Sequence, residues 1–198
     1  QTITVVDSSG PTFQMPRDTI LYVDPSCNVD TSIVITGIAS NIVDNCDPGS
    51  QMSYFDIVTP FCIGQYDVSR VWVLTDDCGN LSRDTQLISV LDTVPPAYIT
   101  PSNVTLYSDI TCYADTSIIN TGIARFENDN CDLTLNPTYS DSLGLGCGIG
   151  YEIFRRWSVV DDCGNNFQTT QVITILDRID PTFTAPRDTI LYTTALCF

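Results

Sequence analysis

The stretch Arg70-Val-Trp-Val-Leu-Thr-Asp-Asp-Cys-Gly-Asn80 returns 85 residues later as Arg155-Arg-Trp-Ser-Val-Val-Asp-Asp-Cys-Gly-Asn165. Working outward from it, Cys27, Cys46, Cys62 and Cys78 recur as Cys112, Cys131, Cys147 and Cys163, and Cys197 lies 85 residues after Cys112. Asp-Thr-Ser-Ile (30–33 and 115–118), Thr-Gly-Ile-Ala (36–39 and 121–124) and Asp-Asn-Cys-Asp (44–47 and 129–132) keep the same register. A fixed period of this size is the signature of a repeat architecture. It divides the chain into the last strand of a preceding repeat (1–10), two full repeats (11–95 and 96–180) and the first strand of a following one (181–198). Both ends fall inside a repeat, so the array is expected to continue beyond them.

Within each repeat, short segments rich in Val, Ile, Thr, Tyr and Trp alternate with clusters of Asp, Asn, Gly and Pro, which is the pattern of strands and turns. Strands are expected at 19–23, 32–38, 52–58, 66–75 and 85–91. In the fourth, Tyr66, Val68, Trp72 and Leu74 share a face, as Tyr151, Ile153, Trp157 and Val159 do in the copy, marking a half-buried strand. Arg70 and Arg155 fall on that same face, so each must stack on an aromatic ring or pair with an acid. Antiparallel strands, a core Trp and disulfides in an 85-residue unit predict an all-β fold of tandem immunoglobulin-like β-sandwich repeats, with a barrel as the alternative. The links at 92–96 and 177–181 are short and carry proline, which predicts a semi-rigid rod.

Eight arginines and no lysine or histidine face 24 acidic residues, for a net charge of -16. That balance repels nucleic acid and anionic membrane and favours cations. No apolar run approaches the length of a membrane span, and no leader pattern opens the chain. Nine cysteines at regular positions, without histidine to share a metal, predict disulfides and an extracellular location.

Four cysteines per repeat allow three pairings. The strand at 66–75 separates Cys62 from Cys78 by roughly 33 Å, whereas bridged Cα atoms lie within about 7 Å, so those two do not bond. Strand directions in a sandwich place Cys46 and Cys78 at one end of the repeat, and Cys27 and Cys62 at the other. Pairing within each end gives Cys27 with Cys62 and Cys46 with Cys78, repeated as Cys112 with Cys147 and Cys131 with Cys163, leaving Cys197 for a residue outside the chain.

Together, Asp-Asn-Cys-Asp, the tryptophan stretch through Cys-Gly-Asn, Gln86-Leu-Ile-Ser-Val-Leu-Asp92 and the Pro-Pro opening of the next unit resemble the HYR-like, immunoglobulin-related repeats of long bacterial surface proteins, notably of Bacteroidota. The resemblance covers the whole chain and implies a secreted adhesin stalk or fibre. Its partners are then further copies of the same repeat in cis, or other fibre chains. The alternative function is a carbohydrate-binding or spacer module of a secreted enzyme. That reading requires an aromatic platform in each copy, and Phe61 already gives way to Gly146.

No cofactor is required. The acidic loops offer two readings. Asp44, Asp47, Asp76, Asp77 and Asp92, with Asp129, Asp132, Asp161, Asp162 and Asp177 in the copy, form the oxygen-rich set that suits calcium. The same residues also make ordinary turns. Covalent glycans are a second candidate: Thr19, Thr93, Ser142 and Thr189 each follow an Asp and precede an apolar residue, similar to the O-glycosylation acceptors of Bacteroidota. Asn80 and Asn103 fit the N-linked rule. Without histidine or lysine there is no standard base to activate a nucleophile, and catalysis is not expected. Adjacent carboxylates such as Asp76 and Asp77 point to opposite faces of a strand end, unlike a paired acid and base.

Overall fold

The computed structural model describes residues 1–144 and 150–192. The fold is all-β and immunoglobulin-like, and the same order of elements occurs twice. The first copy contains β1 (Thr12–Gln14), β2 (Thr19–Tyr22), the helical turn α1 (Ile33–Thr36), β3 (Ser40–Val43), β4 (Gln51–Cys62), β5 (Gln65–Thr75) and β6 (Leu81–Leu91). The second contains β7 (Ala97–Ile99), β8 (Val104–Tyr107), α2 (Ile118–Thr121), β9 (Arg125–Asn128), β10 (Thr138–Leu143), β11 (Gly150–Val160) and β12 (Asn166–Leu176).

Each copy builds one four-stranded sheet, ordered β2-β6-β5-β4 or β8-β12-β11-β10, faced by a two-stranded sheet, β1-β3 or β7-β9. The long strands are antiparallel neighbours, with Trp72 opposite Asp84 on one side and Tyr54 on the other. β2 joins the edge parallel to β6, in the register Thr19 to Ile88 through Tyr22 to Leu91. Asp18 receives the N–H of Leu87 just before that ladder, and Asn103 receives Val172 in the copy. Either short oxygen-bearing side chain accepts the same bond, which explains why an Asp in one copy is an Asn in the other.

The alternating face expected from the sequence is the core. Val68, Trp72, Leu74, Ile88 and Val90 are buried, as are Ile153, Trp157, Val159, Ile173 and Ile175. At about 25 cal/mol per Å² over an indole of roughly 200 Å², each tryptophan contributes about 5 kcal/mol.

Three expectations change. Residues 32–38 form a helical turn, not a strand. The Asp30 carboxylate accepts the Ser32 N–H at 2.9 Å, the Thr36 hydroxyl donates back to the Ser32 carbonyl, and Gly37 (φ 91°) closes the turn onto the Ile33 carbonyl at 3.0 Å. A Cβ on Gly37 would stand 3.1 Å from the Pro16 ring, so both conformation and space require glycine there. Of the flanking strands expected at 1–10 and 181–198, residues 1–10 and 181–192 have no ladder among the described residues, and 193–198 lie outside them. A strand without a neighbour has nothing to satisfy its backbone groups. The strands around 52–58 and 85–91 extend to Gln51–Cys62 and Leu81–Leu91, because the antiparallel ladders with β5 continue past those bounds.

Candidate functional site at the junction between repeats

The two disulfides among the described residues run between the repeats. Cys27 is joined to Cys131 with Cα atoms 4.9 Å apart, and Cys62 to Cys163 with Cα atoms 5.3 Å apart. The pairings Cys27–Cys62 and Cys131–Cys163 are therefore corrected. Cys46, Cys78 and Cys112 are free and exposed, so Cys46–Cys78 is not formed either. Cys147 and Cys197 lie outside the described residues.

The physical reason is an end-to-end docking that no single-repeat argument contains. Cys27 and Cys62 do occupy one end of the first repeat, where a Cβ added to Gly64 would lie 3.1 Å from Cys27 Sγ and collide with Cys131 Sγ. Cys131 and Cys163 occupy the facing end of the second, where Asp132 accepts the N–H of Asp162 at 3.0 Å. Two cysteines on each opposed face bond across the gap in preference to bonding within their own face. Polar contacts follow the same path: the Ile63 N–H donates to Asp162 Oδ2 at 3.0 Å, and the Ile63 carbonyl lies 3.2 Å from Cys163 Sγ.

The acidic residues sort in the same way. Asp92, on the outgoing link of the first repeat, meets Asp129 and Asp161 of the second, with carboxylate oxygens within 4.8 Å of one another. Asp7 meets Asp44 and Asp76 identically. The expected grouping of Asp92 with Asp44 and Asp76 is thus replaced by one shifted by a repeat, since the link folds forward onto the loops it leads to. Asp7, absent from the expected set, is the register equivalent of Asp92; the period itself was the signal that identifies it.

Asp47 and Asp132 stand outside the triads and brace the neighbouring loop, Asp47 accepting the Asp77 N–H at 2.8 Å. Asp77 is exposed while its neighbour Asp76 is buried. Asp177 is exposed and caps its own turn by accepting the Ile179 N–H at 2.9 Å.

Turn chemistry occupies part of each triad. Asp129 Oδ1 accepts from the Cys131 and Asp132 N–H groups, Asp92 Oδ1 from Val94 and Asn130, and Asp161 from Asn165 through both oxygens. Asp129 Oδ2 and Asn130 Oδ1 are nevertheless buried without a hydrogen-bond partner, as are Asp7 Oδ2 and Asp44 Oδ2 in the other triad. Asp92 and Asp161 are 4% and 6% exposed. The two ion pairs among the described residues lie elsewhere in the fold. Burial holds the Asp132 carboxyl above its ordinary range, with the charges of Asp162, Asp129 and Asp161 adding to it against the Asp162 N–H. The Ser9 N–H, the largest influence on Asp7, pulls it the other way.

Arg70 and Arg155 take both routes open to them. Arg70 is 2% exposed, pairs with Asp56, lies 4.7 Å from the Tyr54 ring and donates to the Thr36 hydroxyl at 2.7 Å and the Thr31 carbonyl at 2.8 Å. Arg155 repeats this with Asp141, Tyr139, Thr121 and Thr116. Beside them, the Gln86 side-chain amide donates to the Arg17 and Thr36 carbonyls, and Gln171 to those of Ser102 and Thr121. These networks pin α1 and α2 over the sheet. Tyr54 and Tyr139 are thereby held against Trp72 and Trp157 at 5.2 and 5.0 Å, each still exposed on its outer side.

Of the glycan candidates, Thr93, Ser142 and Thr189 are exposed and Thr19 is half-buried, its hydroxyl donating to the Arg17 carbonyl. Asn80 and Asn103 are engaged in the bonds to Asp76 and Val172.

No protein-family model and no curated protein matches the sequence. Among solved structures, the chain is similar at 12% identity to human mucin-like protocadherin EC1-2, covering 84% of this chain and 97% of that one, with a TM-score of 0.30. It is similar at 12% identity to Drosophila N-cadherin EC1-4, over 86% of this chain and 50% of that one, with a TM-score of 0.36. It is similar at 13% identity to the human desmocollin-1 ectodomain, over 88% of this chain and 42% of that one, with a TM-score of 0.32.

Proposed function

We propose that the chain is a load-bearing segment of an extracellular rod, a structural or adhesive stalk of the kind its HYR-like resemblance suggests, in which successive immunoglobulin-like repeats are welded end to end. The observation that carries this reading is the double disulfide at the junction. Cys27–Cys131 and Cys62–Cys163 close loops of 104 and 101 residues through two different strand ends, so bending or twisting between the repeats works against two covalent bonds. A single bond of that loop length stabilises by about 4–5 kcal/mol in the chain-entropy account. Disulfides persist in oxidising compartments, which supports export. No helix among the described residues is long and apolar enough to cross a membrane.

The buried, unpartnered Asp129 Oδ2 and Asn130 Oδ1 beside Asp92 and Asp161 favour a divalent cation as a second brace. Calcium accepts six to eight oxygen ligands; three carboxylates and an amide oxygen would supply part of that shell and water the rest. The ion would neutralise the link at the point where it enters the next repeat. Thr93, Ser142 and Thr189 remain the accessible glycan positions.

Rotary-shadowed or negatively stained molecules test the rod. An end-to-end length near twice that of one sandwich, lost on reduction, supports it, and a folded-back pair of globules before reduction rejects it.

A further inference from the structure

Cys46 and Cys78 are the register equivalents of Cys131 and Cys163, which are bonded in this structure, and Cys112 is the equivalent of the bonded Cys27. The loops around the free residues are already in the bonded form. Cys46 N–H donates to Asp44 Oδ1 at 2.9 Å, as Cys131 does to Asp129 at 2.9 Å. Asn45 Nδ2 lies 3.1 Å from Cys46 Sγ, as Asn130 lies 3.4 Å from Cys131 Sγ. Asp77 N–H reaches Asp47, as Asp162 reaches Asp132.

At the other end, Cys112 holds the same left-handed backbone as Cys27, φ 61° against 60°, and the same bond from its N–H to a carbonyl three residues back, Asp109 against Asp24, at 3.0 Å in both. A non-glycine residue resists that conformation. Cys112 adopts it without a disulfide, so the turn is preset by the chain and not imposed by the bond. What differs is cover: Cys46, Cys78 and Asn45 are exposed, while Cys131, Cys163 and Asn130 are half-buried beneath the first repeat.

We propose that the Cys46 and Cys78 face is a covalent docking surface for the opposite end of another copy of this repeat, and that Cys112 is a delivering cysteine that bonds the Cys46 position of the repeat that follows. The inference rests on the stapled-rod reading and deepens it by naming the partner and the bond at each new junction. Each closure removes two protons and two electrons from two thiols; a disulfide oxidant, such as glutathione disulfide or an oxidoreductase disulfide, accepts them and leaves as two thiols. Partial desolvation first, and the charges of Asp7 and Asp44 at Cys46 or of Asp76 and its neighbours at Cys78, hold both thiols above their ordinary range. Thiolate is the attacking form. Docking geometry, more than intrinsic reactivity, therefore selects the partner.

The test is a tandem polypeptide in which residues 1–180 run directly into residues 11–198, keeping the 85-residue register at the new junction. It is refolded with glutathione disulfide, trapped with iodoacetamide and mapped without reduction. The expected result joins Cys112 to Cys46 of the second copy and leaves the first copy's Cys46 and Cys78 alkylated. A Cys112→Ser version should return that second Cys46 to the alkylated pool. A Cys46–Cys78 bond within one repeat, or a second-copy Cys46 that stays alkylated in the parent tandem, would overturn the proposal. Imaging the same sample separates the two readings: an extended rod with bonds inside each repeat sinks only the docking surface, whereas a compact particle sinks the rod itself.

Discussion

Arg70 grips Asp56 through two parallel hydrogen bonds, Nε to Oδ1 and Nη2 to Oδ2, both 2.8 Å, from a position that is itself 2% exposed. The pair spans β5 and β4, and the remaining guanidinium donors hold Thr31 and Thr36 at α1. Removing the cation leaves the Asp56 carboxylate and the Thr31 carbonyl without their partner and takes from the Thr36 hydroxyl the bond it accepts. Arg70→Met should cost about 3–5 kcal/mol in chemical denaturation. Arg70→Met with Asp56→Leu should recover much of that loss, because replacing both partners removes the uncompensated charge. A double variant no better than the single one would show that the contacts to Thr31 and Thr36, not the ion pair, carry the effect.

Gly64 sits at φ 86° and has no room for a Cβ, which would collide with Cys131 Sγ and lie 3.1 Å from Cys27 Sγ. Gly64→Ala should lower the yield of the Cys27–Cys131 bond, read by non-reducing peptide mapping. Gly79 is the control, with φ 88° and open space around a Cβ. Gly79→Ala should cost only the roughly 1–2 kcal/mol of backbone strain and leave the disulfide intact. Equal bond yields in the two variants would contradict the close approach at the junction.

Calcium at a hundredfold excess over its dissociation constant should stabilise the chain by about 2.7 kcal/mol if it binds only the folded state. Asp129→Asn keeps an oxygen for the turn while removing charge from the triad. It should leave the calcium-free unfolding midpoint close to that of the parent and blunt the calcium response. A midpoint that ignores both calcium and chelator would leave Asp92, Asp129 and Asp161 as turn formers.

Stability should depend on pH in two opposed ways. Asp30, Asp109 and Asp115 lie below their ordinary value of 3.8, held down by the Ser32 N–H, the Thr111 hydroxyl and the Ser117 N–H respectively. Their contribution is complete above 3.8 and is lost as pH falls through their folded values. Asp132 lies above 3.8, so it favours the folded state while protonated and that contribution disappears as pH rises through its folded value. Asp132→Asn should therefore melt higher than the parent at pH 7, with the difference vanishing in acid. Melting curves at pH 7 and about pH 3 decide it, and a lower melting point at pH 7 would contradict the burial effect at Asp132.

The repeat period, the strands bearing Trp72 and Trp157 and the burial of Arg70 were legible because alternation and spacing are local properties of a chain. Residues 32–38 misled for a local reason as well: the β-branched run Ile33-Val34-Ile35-Thr36 favours strand, and the Asp30, Ser32 and Gly37 bonds at its ends outweigh that preference. Cysteine pairing has no such local basis. Which thiol meets which depends on how the end of one sandwich faces the next, and Cys27 finds Cys131, 104 residues away, because the link at Asp92 docks the near end of the second repeat against the end of the first. By itself the sequence determined the period, the core face and the two ends on which the cysteines lie. Only the tertiary structure decided that those ends bond to each other, because a disulfide needs Cα atoms within about 7 Å and that proximity is created by docking.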